Sequence, residues 1–567
     1  MVRTSDVAIW LKLVVLSLAG FLFACGGGGG GTPASTDTTI TGSVVAAPVS
    51  GASVVVKDTG GNTIAGPVKT GSDATYRIDV PNDALSGELV FESTGGTFKD
   101  EATTIQGTAG LLAAYAASGS LSSASGVHLT PASTIVQDLM RNHGKTHVEA
   151  QALIKNAFGF EVDTAIAPVD VTNPPAGAGQ ERILAGLRAA VFSQLTNDLG
   201  LTVGAATEQF DLLPALARDI ADGTFDGEDT GGVVAITNAI NLPADVQNRF
   251  SHALAFMHGE TKGKTGLTDD QIGSLPFAKL AMTNSYKIEY LPGMMPTMAG
   301  KTMFQLRITD HSGTTPLATG TAVTLMPMMH MAMHMHSTPV SGCEETATAG
   351  TYDCTVYYLM ASSMMSGESM GYWELKVMIG GMMGESATFY PQVMMAMGNT
   401  PRVILKGQAD KIMGMAMGGM PATEENRSYY LFNDGLSGMG DNRTFDLFIA
   451  AKESMKSYPA LAEGMTLRGD MDPDVHAHDL NVVAVTVEVS TDATTWDAVT
   501  VINNGNGHWS ATGITGLVNG EASMICARLT IHNGVADERK TTNGDLENGP
   551  NGYSCFTVTP GSMMSGM

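Results

Sequence analysis

The sequence predicts a multidomain α+β protein in which β sandwiches flank an α-helical bundle. Three observations predict it. Short runs such as Ala52-Ser-Val-Val-Val-Lys and Thr75-Tyr-Arg-Ile-Asp-Val alternate apolar and polar residues between Gly, Asn and Asp turns. From about residue 107 the apolar period lengthens to that of helices. From Tyr286 it returns to two. A chain of 567 residues has room for several domains. The expected order is a leader (1–25), a Gly-rich tether (26–37), a β sandwich (38–106), a helical domain (107–281), a Met/His-rich β sandwich (282–400) and a β-rich C-terminal domain (401–567).

At the N-terminus, Arg3 and Lys12 precede the apolar run Leu13–Ala24, which stops at Cys25. The run is short for a membrane span of about 20 residues. Leu22-Phe-Ala-Cys25 resembles a bacterial lipoprotein signal, which implies lipidation of Cys25 after cleavage. The run Gly26–Gly31 then forms a flexible tether. Gly26 after the Cys resembles outer-membrane sorting, so the expected location is the bacterial cell envelope, with the lipid anchor as membrane partner. The net charge of −25 argues against nucleic acid as a partner, because phosphate needs a basic surface. An acidic surface attracts cations instead.

In the first β segment, Gly42, Gly51-Ala52 and Asp73-Ala-Thr-Tyr-Arg resemble carboxypeptidase-regulatory-like domains, which implies a prealbumin-like sandwich without chemistry of its own. The helical segment carries its own punctuation. Thr130-Pro131 opens a helix through Arg141. Thr146 and Glu149 form a capping box for a helix ending near Gly159. Gln180–Asp198 puts Ile183, Leu184, Leu187, Val191 and Leu195 on one side, and Glu208–Ala221 and Ala244–His258 complete the bundle. The acidic loop Asp219–Asp229 suggests Ca²⁺ by its oxygen ligands, but its spacing misses the EF-hand pattern.

Function concentrates at Leu325–His336, which reads Leu-Met-Pro-Met-Met-His-Met-Ala-Met-His-Met-His. Read as a single strand, Met329, Met331, Met333 and Met335 share one face, while Met328, His330, His334 and His336 share the other. Thioethers are soft ligands suited to Cu(I), and imidazole suits Cu(II) or zinc. Of the 36 Met in the chain, 25 lie between Met282 and Met420. Adaptable core packing is the other use of Met, but it leaves either sulfur or imidazole in water here. The expected metal ligands are therefore Met326, Met328, Met329, His330, Met331, Met333, His334, Met335 and His336. Neutral imidazole is the ligand form, so His-dependent affinity should fall below about pH 6.5.

Asp310-His-Ser-Gly, Met326-Pro-Met-Met-His, Gly350-Thr-Tyr and Gly371-Tyr-Trp-Glu-Leu-Lys-Val occur in the order found in the YtkA-like and FixH-like family, which this segment resembles. The resemblance implies an extracytoplasmic immunoglobulin-like sandwich, with a link in some members to copper supply for respiratory oxidases. The chain departs from that pattern by extending the Met/His run and by adding Met364, Met365 and Met370. Met394-Met-Ala-Met and Met413-Gly-Met-Ala-Met-Gly-Gly-Met continue the sulfur-rich pattern, and reversible oxidation is a further use for such loops.

Four Cys besides Cys25 fall into local pairs, and an oxidising compartment favours disulfides Cys343–Cys354 and Cys526–Cys555. For the first pair, thiolate ligation beside the Met/His run is the alternative. In the C-terminal segment, Thr486-Val-Glu-Val-Ser-Thr-Asp-Ala-Thr-Thr-Trp-Asp resembles an immunoglobulin-like hairpin. Just before it, Asp474, His476 and His478 alternate and make a second candidate site for Cu(II) or Zn²⁺, with a solvated loop as the alternative.

No nucleophile motif, phosphate loop, nucleotide fingerprint or zinc-protease helix appears, so no enzymatic activity and no small-molecule substrate are expected. The leading expectation is an envelope lipoprotein that binds copper for sequestration or delivery to a periplasmic metalloprotein. The alternatives are a non-catalytic surface scaffold or adhesion protein, and an assembly factor for a respiratory metalloprotein.

Overall fold

The computed structural model describes residues 37–201, 208–381, 383–414, 421–472, 474–534, 537–543 and 552–561. Cys25, the glycine tether and Met415, Met417 and Met420 lie outside the described residues. The chain is mostly β: 31 strands stand against five α-helices among the described residues. This corrects the expected fold class. The helices do not form a separate bundle flanked by sandwiches, because they share one apolar core with the first β layers, and α1 lies directly on strand Leu112–Ala116.

Two small sheets begin the chain. One orders strands Thr75–Pro81, Asp37–Val44 and Gly126–Leu129, and the other Thr63–Lys69, Ser53–Asp58, Leu89–Thr94 and Leu112–Ala116. The helices are α1 (Pro131–His143), α2 (His147–Phe158), α3 (Gln180–Asp198), α4 (Glu208–Ile220) and α5 (Val246–Thr265). Thr130 caps α1 and Thr146 caps α2, each in a capping box. What overrides an independent bundle is visible at α1. Ser133 Oγ donates to the Ala113 carbonyl at 2.7 Å, and Thr134 Oγ1 accepts the Ala113 N–H at 2.9 Å. These bonds pin the helix to a strand. Ile40, Val54, Phe91, Leu139, Ile154, Leu187, Leu216 and Phe250 then belong to one continuous buried cluster. No described helix is long and apolar enough to cross a membrane.

A second unit packs a five-stranded sheet against a four-stranded one. The first orders Leu280–Met282, Tyr286–Pro292, Gly300–Asp310, Thr351–Tyr358 and Val340–Glu345, all antiparallel. The second orders Met335–Ser337, Val323–His330, Tyr372–Ile379 and Glu385–Phe389. Inward-facing Ile288, Tyr290, Phe304 and Leu306 meet Leu325, Met329, Trp373, Leu375 and Phe389 to form its core.

The C-terminal unit is a nine-stranded antiparallel sheet that curls until its end strands, Ala484–Ser490 and Thr500–Gly505, approach each other. Register shifts between Lys406 and Lys411 and between Asn433 and Gly435 sit in its two longest strands, where bulges increase twist and bend. An aromatic seam joins it to the second unit, with Tyr357 stacked on Phe448 at 4.0 Å. Tyr357 donates its hydroxyl to Asp434 at 2.6 Å, and Lys301 pairs with the same carboxylate at 3.0 Å.

Candidate metal centre

The Met/His run is a hairpin rather than one straight strand. Strand Val323–His330 turns at 331–334, where the Met331 N–H bonds the His334 carbonyl at 3.1 Å, and returns as Met335–Ser337. Met329 pairs with His336, and His330 with Met335. The expected row of four thioethers on one face is therefore broken. Leu325, Pro327 and Met329 point into the core, leaving Met326 exposed and Met328 half-buried on the outer face. Met331 packs partly against the core, Met333 at the turn is 81% exposed, and Met335 is half-buried.

The three His take three different roles. His330 places Nε2 2.9 Å from Glu374 and stacks flat on Tyr372. Its Nδ1 lies 4.0 Å from Asp269, which also sits 2.6 Å from Nε2 of buried His258 in α5. This group ties α5 to the hairpin. The hydrogen bond from His330 holds the Glu374 carboxyl below its usual range. His336 is buried at 6% exposure, edge-on to Trp373, and burial lowers its proton affinity. Its Nδ1 lies 2.7 Å from the Ser337 carbonyl and its Nε2 3.3 Å from Met360 Sδ. His334 is half-buried, with its ring centroid 6.3 Å from that of His336, and its Nδ1 is shielded from water without a hydrogen-bond partner.

The remaining sulfur divides sharply by exposure. Met298, Met329 and Met378 are buried and fill the core, as adaptable packing residues do. Met294, Met303, Met326, Met333, Met364, Met365, Met383, Met394, Met395 and Met397 are exposed. Among the described residues from 282 to 400, no other large apolar side chain is exposed.

The second candidate group is dispersed. Asp474, His476 and His478 lie in turns, not on a strand. His478 is held between Asp470 at 2.6 Å and Glu424 at 3.0 Å, and these hydrogen bonds raise its proton affinity. His476 faces Asp479 at 2.9 Å, and Asp474 is exposed. In the acidic loop, Asp219 is buried and accepts N–H groups from Gly227 and Asp226, and burial pushes it up to about 7. Asp229 pairs with Arg218. Asp310, the landmark acid before Gly313, caps its own turn by accepting from the Thr314 and Thr315 N–H groups. Among the described residues, no three His, Cys, Asp or Glu side chains converge as a metal site. The Cys343–Cys354 and Cys526–Cys555 disulfides each join residues paired across adjacent strands.

Sequence reasoning passed over Met360, because it stands alone after a strand and carries no pattern. It also passed over Glu374 and Asp269, whose role depends on α5 reaching the hairpin.

No family profile matches the chain, and no curated protein does. Among solved structures, a marsupial T cell receptor is 8% identical over 47% of this chain and 100% of its own, with a TM-score of 0.13. Two endo-fucoidan hydrolases from glycoside hydrolase family 107 are 10% and 9% identical over 60% and 70% of this chain, each with a TM-score of 0.13. This chain matches 52% of each hydrolase's length. Likenesses at this level carry no argument about fold, activity or substrate.

Proposed function

We propose that this chain is a copper-binding lipoprotein of the bacterial cell envelope, anchored through Cys25, that sequesters copper or passes it to a periplasmic metalloprotein. Its role is binding rather than catalysis. One observation carries the reading. From residue 282 to 400, every exposed large apolar side chain among the described residues is a methionine. Packing does not account for a side chain in water, and a preference for apolar bulk would have admitted Leu, Ile and Val as well. What distinguishes Met from these is the sulfur lone pair, a soft ligand for Cu(I). The acidic surface adds a field that draws cations toward the molecule.

The test is an anaerobic Cu(I) titration of the chain from residue 26 onward against a competing chelator. The wild type should hold several equivalents more tightly than free methionine does. A variant with the ten exposed Met changed to Leu should lose most of them. Binding no tighter than free methionine would sink the copper reading and leave a surface scaffold in its place.

A further inference from the structure

His336 meets Met360 where the hairpin folds over the loop after strand Thr351–Tyr358, and the His334 ring lies beside that of His336. The Ser337 carbonyl can only accept, so the proton of a neutral His336 ring sits on Nδ1 at 2.7 Å from it. Nε2 then carries a lone pair, and it faces Met360 Sδ at 3.3 Å, an atom with no proton to give. Two acceptors at that range are complementary to a cation. The neighbouring His334 ring, its centroid 6.3 Å from that of His336, offers a further nitrogen, Nδ1, that is shielded and has no hydrogen-bond partner.

We infer that His336 Nε2, Met360 Sδ and His334 Nδ1 form one Cu(I) site, a placement that rests on the copper reading and gives it a tightest-binding centre. The spacing of the His336–Met360 pair agrees. Metal bonds of about 2.0 Å to nitrogen and about 2.3 Å to sulfur place the two atoms about 3.5 Å apart at a tetrahedral angle. Two imidazoles on one such ion have centroids about 5 Å apart, so the His334 ring, now at 6.3 Å, closes in by about 1 Å when the ion binds. The ligands are soft or borderline and uncharged, and Arg402 is near. Soft and borderline neutral ligands of this kind favour the monovalent ion over a dication. The loop is held for this purpose: the Met360 carbonyl accepts from Trp373 Nε1 at 3.1 Å, and the Leu359 carbonyl accepts from Arg402 Nε at 3.0 Å. These outer bonds orient the ligands before metal arrives.

The experiment repeats the Cu(I) titration with Met360→Leu, which keeps the side-chain volume, and with His334→Ala at a half-buried position. Thermal unfolding confirms that each variant folds. Each should weaken the tightest equivalent at least tenfold while leaving the weaker ones in place, and Met333→Leu at the exposed turn should leave the tightest equivalent unchanged. X-ray absorption of the one-equivalent complex should show nitrogen and sulfur together. A tightest equivalent unchanged in both folded variants would overturn this site while copper binding itself stood. No tight binding in the wild type would overturn both.

Discussion

His336 and His478 are the same side chain in opposite surroundings. His336 is sealed beside Trp373, where burial lowers its proton affinity, and it faces a carbonyl and a thioether. His478 lies between Glu424 and Asp470, which raise its proton affinity. The neighbours, not the residue type, decide whether an imidazole keeps a lone pair for a metal or serves as the cation of a clamp. The two units differ in the same sense. In the C-terminal sheet the buried charges are closed: Arg427, 0% exposed, donates to Asp410 at 2.8 Å and to the Lys452, Arg468 and His478 carbonyls. The 282–400 unit instead sets the buried His336 ring against a thioether at its hairpin.

The largest test of this contrast is Asp410→Ala. It strands the Arg427 guanidinium and removes the acceptor of the Tyr429 hydroxyl. Chemical denaturation should show a loss of about 3–5 kcal/mol. A loss under about 1 kcal/mol would mean that water reaches Arg427, and the closed-charge description would fail.

Next comes the seam between the units. Burial works against the Asp434 carboxylate, but hydrogen bonds from His508 and Tyr357 and the charge of Lys301 hold its pKa at about 2. A lowered folded value gives stability that is present above the unfolded pKa near 4 and lost as pH falls toward 2. The loss should be about 2 kcal/mol over that interval, and Asp434→Asn should flatten it. An unchanged acid profile in the variant would remove Asp434 from the seam.

The His478 clamp has the opposite sign. Its raised folded pKa gives stability that is present below about 6.5 and lost as pH rises through the folded value. The effect should stay under about 1 kcal/mol because Glu424 is largely exposed. Denaturation of His478→Gln between pH 6 and 8 should show no such slope; a slope equal to that of the wild type would assign it to another group.

The smallest effect belongs to Met365→Leu. Met365 is 83% exposed, so stability should change by less than about 0.5 kcal/mol. A larger change in thermal unfolding would show that this thioether packs after all, and would weaken the argument from exposure.

Much of the local structure was legible. The caps at Thr130 and Thr146 are helix starts because the Ser/Thr side chain finds its N3 partner within one turn, whatever lies beyond. The period-two run Thr75–Pro81 buries Tyr76, Ile78 and Val80, since alternation needs only one covered face. The hairpin was not legible as such. A Met/His alternation satisfies a straight strand as well as a turn, and only the demand of Trp373 and Leu375 for an apolar partner selects the register that buries Met329. The fold class failed for a similar reason. Helical period says that a helix has an apolar stripe but not what covers it, and here α1 is covered by a strand and the helices share their core with the first sheets.

By itself, then, the sequence determined the mostly two-residue periodicity after Tyr286, the helix caps, and the concentration of sulfur between Met282 and Met420, all of which are properties of neighbours along the chain. Only the tertiary structure decided which of those sulfurs stand in water, that Met360 meets His336, and that His478 lies between two carboxylates. These depend on residues separated by 24 positions for the Met360–His336 pair and by 54 for the Glu424–His478 pair. Contacts of that range are set by how sheets stack and where their turns fall, and no local pattern encodes them.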